Sequence, residues 1–182
     1  MKQLLGEAYC LRAYWYWMLC NFWGDVPFAT TPSTKDDMHN DPRTDKNIIY
    51  THCIQDLINI EEDMQWSSEI GVEYMNREFA LGFIAKLAMF RAGYSMQADG
   101  TMARCNETGE EYTVTYKDEN GNETTASSAD DYYKVARAYA LKLIKLKDRA
   151  LNPNFKEIFD NQINGCNPAT GDVLFELGYV SN

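Results

Sequence analysis

Positive charge and histidine are both scarce in this chain. Its 182 residues carry 17 Lys and Arg against 27 Asp and Glu, and only two histidines, His39 and His52. The formal net charge of −10 and a pI near 4.6 set the chain against polyanions, so nucleic acid and anionic lipid are excluded as partners. The histidines share no ligand-spaced motif with Cys or carboxylates, so no metal site is expected. The five cysteines, Cys10, Cys20, Cys53, Cys105 and Cys166, show neither zinc-ligand nor redox spacing. Their odd number excludes a complete disulfide framework within the chain, and the first three fall in helical patterns as small core residues. No segment reaches the ~20 apolar residues of a bilayer span. The run 8–23 is apolar, but it holds Arg12 and is too short. No basic segment leads into an apolar stretch and a small-residue cleavage site, so no signal peptide is visible. G-x-S-x-G, HExxH and phosphate-cradling glycine loops are also missing, and no cofactor is implied.

Apolar and aromatic residues are plentiful, at 45% and 13% of the chain, enough for one domain with a packed core. Apolar residues at Leu4, Leu5, Ala8, Leu11, Trp15, Met18, Leu19 and Phe22 recur at three and four, which predicts a helix over 3–23. Tyr9, Tyr14, Tyr16, Trp17 and Trp23 make it apolar nearly all round. Such a helix belongs in the centre of a bundle or against a partner outside the chain. It should stop at Gly24 and leave through Asp25 and Pro27. A polar loop over 24–45 follows, with Asp36, Asp37 and Asp41 as a solvated acidic stretch. A second helix is expected over 45–64, capped by Thr44 or Asp45, and a third over 76–94, capped by Asn76. The third is rich in small residues (Ala80, Gly82, Ala85, Ala88, Ala92), which lets another helix approach closely. Gly82 costs up to ~1 kcal/mol in a helix interior, so a packing reason should hold it there.

Residues 95–129 read as a loop and β-hairpin insertion. Alternation over 112–116 leads to a turn at Asn120-Gly121, with a return strand over 123–126. A fourth helix is expected over 130–147 with Tyr133, Ala136, Tyr139, Ala140, Leu143 and Ile144 as its apolar stripe. A fifth should begin at Asn152-Pro153 and carry Phe155, Ile158 and Phe159. Residues 172–180 read as a strand. The expected architecture is mainly α: TPR-like helical pairs in a single domain over 1–182, with a small hairpin and a C-terminal strand.

Several motifs resemble those of the SusD/RagB family of Bacteroidetes outer-membrane nutrient-binding lipoproteins. Glu7-Ala8 with Leu11-Arg12-Ala13, then Gly24-Asp25-Val26-Pro27, are similar to that family's first marked helix and its exit. Ile54-Gln55-Asp56-Leu57 resembles "I-x-D-L", and residues 80–94 resemble "A-x-A-L-L-A-x-V-Y-L". Residues 131–136 resemble "Y-Y-x-x-A". Residues 154–159 and 173–177 resemble "F-x-x-I/L-F" and "E-x-I-F-E-I". Leu11, Arg12, Ala13, Gly24, Asp25 and Pro27 are the structural motif positions. The family's lipoprotein signal, anchoring cysteine and C-terminal extension have no counterpart, so the chain reads as a piece of such a protein or as a product starting at an internal Met.

The resemblance implies a non-enzymatic role at the cell surface. The expected ligand is an oligosaccharide, or a peptide, and the expected partner is a SusC-like TonB-dependent porin. Trp66 and Tyr74, flanking a loop with Gly71, are the candidate glycan contacts, with folding back onto the helices as the alternative. Trp15, Trp17 and Trp23 are expected to pack in the core. Arg12, embedded among aromatics, calls for a buried ion pair with Glu7 or Asp25. Glu7, Glu61, Glu62 and Glu78 are the carboxylates a glycosidase would draw on, though nothing marks any of them with a raised pKa. The 118–122 segment reads as a hairpin turn rather than a calcium loop. The competing function is a helical-repeat scaffold for a protein partner.

Overall fold

The computed structural model describes residues 1–32, 34, 41–165, 167–168 and 171–177. Asp36, Asp37, His39, Cys166 and residues 178–180 of the expected strand lie outside these.

Four helices build the body: α1 (Lys2–Trp23), α2 (Lys46–Ile60), α4 (Arg77–Ala92) and α5 (Ala129–Leu146). The one-turn α3 (Ser67–Ile70) lies between α2 and α4. They pack as two consecutive pairs, α1 on α2 and α4 on α5, with α2 against α4. This is the expected TPR-like arrangement, and the caps explain its boundaries. Asp45 accepts a hydrogen bond from the Asn47 N–H, and Asn76 accepts one from the Phe79 N–H. Ser128 and Asp131 close a reciprocal capping box on α5.

The core is centred on α2 and α4. Ile49, Ile54 and Leu57 face Leu81, Ile84 and Leu87, all fully buried. The small residues of α4 serve as expected, with Ala80, Ala88 and Ala92 buried. Gly82 has its packing reason: a Cβ there would lie 3.2 Å from the Leu174 Cδ1. On α5 Tyr139 is buried as expected, but Tyr132 is buried in place of the expected Tyr133, and Tyr133 and Ile144 are 45% and 54% exposed. Tyr132 is held inward by its hydroxyl, 2.9 Å from both the Thr51 hydroxyl and the Tyr112 carbonyl.

The hairpin of β5 (Val114–Lys117) and β6 (Glu123–Ala126) forms as expected and packs on α2 and α5. Its turn is organised by Asp118, whose carboxylate accepts from the N–H groups of Asn120 and Asn122. Two further two-residue pairs frame the helix ends: β1 (Val26–Pro27) with β2 (Arg43–Thr44), and β3 (Ser95–Met96) with β4 (Met102–Ala103).

Three expectations need correction. The aromatic helix α1 is not buried on several sides. Only Gly6, Cys10, Ala13 and Cys20 are buried, while Leu4, Leu11, Trp15, Phe22 and Trp23 are exposed. Small residues press α1 onto the core; a Cβ on Gly6 would lie 2.6 Å from the Met64 Cγ. Secondly, α6 (Phe155–Ile163) starts beyond Pro153, capped at Asn154, and buries none of its residues. Thirdly, residues 172–177 form no strand. They make one backbone bond, Glu176 N–H to the Val72 carbonyl. Side chains take several of the carbonyls here: Arg149 binds those of Gly171 and Val173, Asn76 that of Leu174 and Gln162 that of Leu177.

Candidate functional site

The exit from α1 shapes a wide cleft. Gly24 adopts φ +71°, a left-handed conformation that disfavours any side chain, and its N–H closes the helix on the Cys20 carbonyl. The chain then turns so that the Asp25 carboxylate accepts the Lys46 N–H at 3.0 Å, while Val26-Pro27 pairs with Arg43-Thr44. The motif at 24–27 thereby fastens the end of α1 to the start of α2. Opposite it, α4 ends at Gly93, and Tyr94 leads into β3.

Between these ends lies a cleft of about 730 Å³, within the usual range for small-ligand sites. Phe22, Trp23, Met89, Phe90, Tyr94 and Met96 supply its apolar lining. Trp23 and Tyr94 are 68% and 74% exposed, so their rings are available at its edge. Phe22 and Trp23 sit edge to face, 5.6 Å apart. Tyr50 and Cys20 are buried in its wall. Burial, with Asp25 close by, pushes the Cys20 thiol up to about 12, and burial beside Cys20 raises the Tyr50 phenol. Neither group ionises at neutral pH. The charged lining is Asp25, Arg43 and Lys46, with Gln97 and Asn21 as neutral polar groups. Lys46 is nine-tenths buried and donates to the Met96 carbonyl.

The sequence-derived candidates lie elsewhere. The Trp66 ring is held between two cations, with Arg77 at 4.6 Å and Lys147 at 5.1 Å, and packs against the core. Tyr74 is exposed. Neither lines the cleft between α1 and α4. Of the first-helix tryptophans, only Trp17 packs inward, edge-on to Phe83 and Phe90 with the Lys86 ammonium over its ring at 3.9 Å. Trp15 and Trp23 are exposed, which overturns their core assignment. Of the motif positions, Gly24 and Asp25 line the cleft, Pro27 lies in β1, Ala13 is buried and Leu11 is exposed. Arg12 makes its ion pair with Asp56 of α2, not with Glu7 or Asp25. Glu7 instead accepts from Gln3, and Asp25 is held at the start of α2. Arg43, Lys46 and Tyr94 were missed because only the folded exit brings them together. The aromatic cluster at 22–23 beside Gly24 was the available signal.

The carboxylates a hydrolase would draw on are committed to cations. Glu61 is buried against Arg77 and Lys142. Hydrogen bonding and charge from Lys142, with Lys117 adding to them, hold Glu62 below the usual carboxylate range. Burial acts to raise Glu78, but the Ser67 N–H and hydroxyl and the Arg149 guanidinium outweigh it and hold it low. Neither Glu62 nor Glu78 is therefore a raised-pKa acid of the kind that protonates a leaving sugar.

Residues 1–89 match the family model SusD-like_3, described as starch-binding associating with outer membrane. Nearly half of the chain is thus similar to SusD-like proteins. A 54-residue stretch is 35% identical to SusD-like protein P25 of Formosa agariphila, covering 30% of this chain and 10% of that protein. The fold of the chain also matches the crystal structure of a SusD-like carbohydrate-binding protein from Bacteroides fragilis. The TM-score is 0.58 at 19% identity, over 86% of this chain and 24% of that one. At that identity the likeness is one of fold. The matches thus span a tenth of the curated relative and about a quarter of the solved one. Among the described residues, no helix is long and apolar enough to cross a membrane.

Proposed function

We propose that this chain belongs to a surface protein that captures oligosaccharides at the outer membrane and passes them to a SusC-like TonB-dependent porin. On this reading the protein is a lipoprotein without catalytic activity. The observation that carries the reading is the aromatic-edged cleft, built by the same Gly24-Asp25 exit that falls within the SusD-like match. Flat, exposed Trp23 and Tyr94 rings suit the apolar faces of pyranoses, and Asn21 and Gln97 offer groups for hydroxyls. Trp66 and Tyr74 remain proposed as secondary glycan contacts on the opposite loop.

Isothermal titration of the 182-residue chain against a panel of neutral and charged oligosaccharides tests the reading. Binding that Trp23→Ala weakens tenfold or more supports it, and silence across the panel overturns it. The porin partnership is tested by co-purification of the membrane-borne protein with a TonB-dependent porin.

The exposed apolar stripe of α1 favours a second reading, a helical scaffold for a protein or peptide partner. A peptide library that binds the chain while no glycan does would select it.

A further inference from the structure

The charge inside the cleft runs against the charge of the chain, and this narrows the ligand. The protein carries −10 overall, yet Arg43 and Lys46 stand against one carboxylate, Asp25, in the cleft lining. Lys46 is 7% exposed, and its ammonium donates to one acceptor, the Met96 carbonyl. An ammonium has three donors, so two are left without a partner among the described residues, in a poorly hydrated position. Among the described residues no carboxylate lies within ion-pair distance of Lys46 or Arg43; Asp25 faces the Lys46 backbone N–H instead. A cation buried without a counter-charge is costly, and the cost is relieved when an anion enters. Arg43 is exposed at the mouth, and its planar guanidinium matches carboxylate or sulfate oxygens in bidentate fashion. Burial raises the Cys20 thiol and the Tyr50 phenol of the lining, so both are neutral at pH 7. Lys46 also opens α2, whose first N–H groups are already taken by the Asp25 and Asp45 carboxylates, so the free positive charge of the cleft rests on the Lys46 and Arg43 side chains; the carbonyl ends of α1 and α4 give acceptors for hydroxyls.

We propose that the cleft takes an acidic saccharide. Its carboxylate or sulfate ester lies between Lys46 and Arg43, and a sugar ring lies against Trp23 or Tyr94. This rests on the glycan-binding reading and specifies it: aromatic faces alone would not discriminate charge, whereas an under-neutralised pair of cations does.

Two matched pairs of ligands test it by isothermal titration of the 182-residue chain in 50 mM NaCl. One pair is trigalacturonate and its methyl ester; the other is a sulfated galactan oligosaccharide and its desulfated counterpart. In at least one pair the acidic member should bind tenfold or more tightly than the neutral one, and the pair concerned tells carboxylate from sulfate. The preference should shrink in 300 mM NaCl. Arg43→Gln, at an exposed site, should weaken the acidic ligand about fivefold and leave the neutral one unchanged. Lys46→Met should remove the preference, with circular dichroism checking its fold; if it misfolds, Arg43→Gln decides. Equal binding of acidic and neutral members, weakened alike by Trp23→Ala, overturns the charge assignment and leaves the glycan reading standing. A preference that survives both cation substitutions overturns the site; no binding by any of the four ligands overturns the charge assignment, and silence across the wider oligosaccharide panel overturns the glycan reading with it.

Discussion

Arg12 of α1 and Asp56 of α2 form an ion pair that ties the first two helices together, with the His52 Nε2 3.2 Å from the same carboxylate oxygen. The Tyr9 ring covers the guanidinium at 4.9 Å. The pair joins two of the motifs that mark the sequence, Leu11-Arg12-Ala13 and Ile54-Gln55-Asp56-Leu57. Both side chains are partly buried, so removing one leaves the other short of a partner. We expect Arg12→Met to destabilise the chain by about 1–2 kcal/mol. A urea double-mutant cycle with Asp56→Asn should give a coupling of about 1 kcal/mol. Strictly additive effects would show that the contact links nothing.

Glu78 and Arg149 hold the C-terminal segment to α4. The buried Glu78 carboxylate accepts from Ser67 and from Arg149, which also binds the carbonyls of Gly171 and Val173. With its pKa below the ordinary value, Glu78 binds a proton less readily in the folded chain than in the unfolded one. Its stabilisation is therefore complete above the ordinary carboxylate pKa of about 4.3 and is lost as pH falls through the lower folded value. Glu78→Gln should cost about 2 kcal/mol at pH 7 and distinctly less at pH 3, read as urea midpoints. A cost that does not change with pH would contradict the sign of this shift.

The helices, their caps and the hairpin were legible because each has a local cause. Asn76 and Gly24 stand at the helix boundaries, and Asn120-Gly121 marks the turn. What could not be read were relations that only tertiary packing creates. Arg12 was short of a partner by sequence logic, yet its partner lies 44 residues away on another helix. Tyr132 and Tyr133 are equivalent by composition, and the choice falls on Tyr132 because Thr51 and the Tyr112 carbonyl receive its hydroxyl. Residues 172–177 have a strand's composition, but side chains from Arg149 and Asn76 take the carbonyls a neighbouring strand would have used. The cleft was half legible: Trp23, Gly24 and Asp25 were in view, but Lys46 and Tyr94 arrive from other helix ends.

The buried thiols offer a probe of opening. Burial pushes Cys10, Cys20 and Cys53 up to about 12, and Cys105 is also buried and free. The thiolate is the reactive form, so Cys10, Cys20 and Cys53 should resist iodoacetamide at pH 8 while the chain is folded, and burial alone should shield Cys105. Labelling followed by mass spectrometry should show them reacting together, at a rate that rises with urea as global unfolding does. Rapid labelling of Cys20 alone would instead reveal local opening at the cleft wall.

The exposed face of α1 makes the most direct challenge to reading burial from hydrophobicity. Leu4, Ala8, Leu11, Trp15, Met18 and Phe22 follow one another at spacings of four and three, the signature of a packed seam. In this chain Leu4, Leu11, Trp15 and Phe22 are 48–70% exposed, and the helix meets the core through Gly6, Cys10, Ala13 and Cys20. The two faces should answer oppositely to substitution. Leu11→Gln and Trp15→Gln should change unfolding free energy by less than about 0.5 kcal/mol. Ala13→Leu, which forces volume into the α1–α2 contact, should cost about 1–3 kcal/mol. The polar pair should also suppress self-association in sedimentation velocity, since it breaks the apolar patch. If Trp15→Gln proves as costly as Ala13→Leu, this face is covered in solution, and the sequence pattern, not the exposed surface, describes its state.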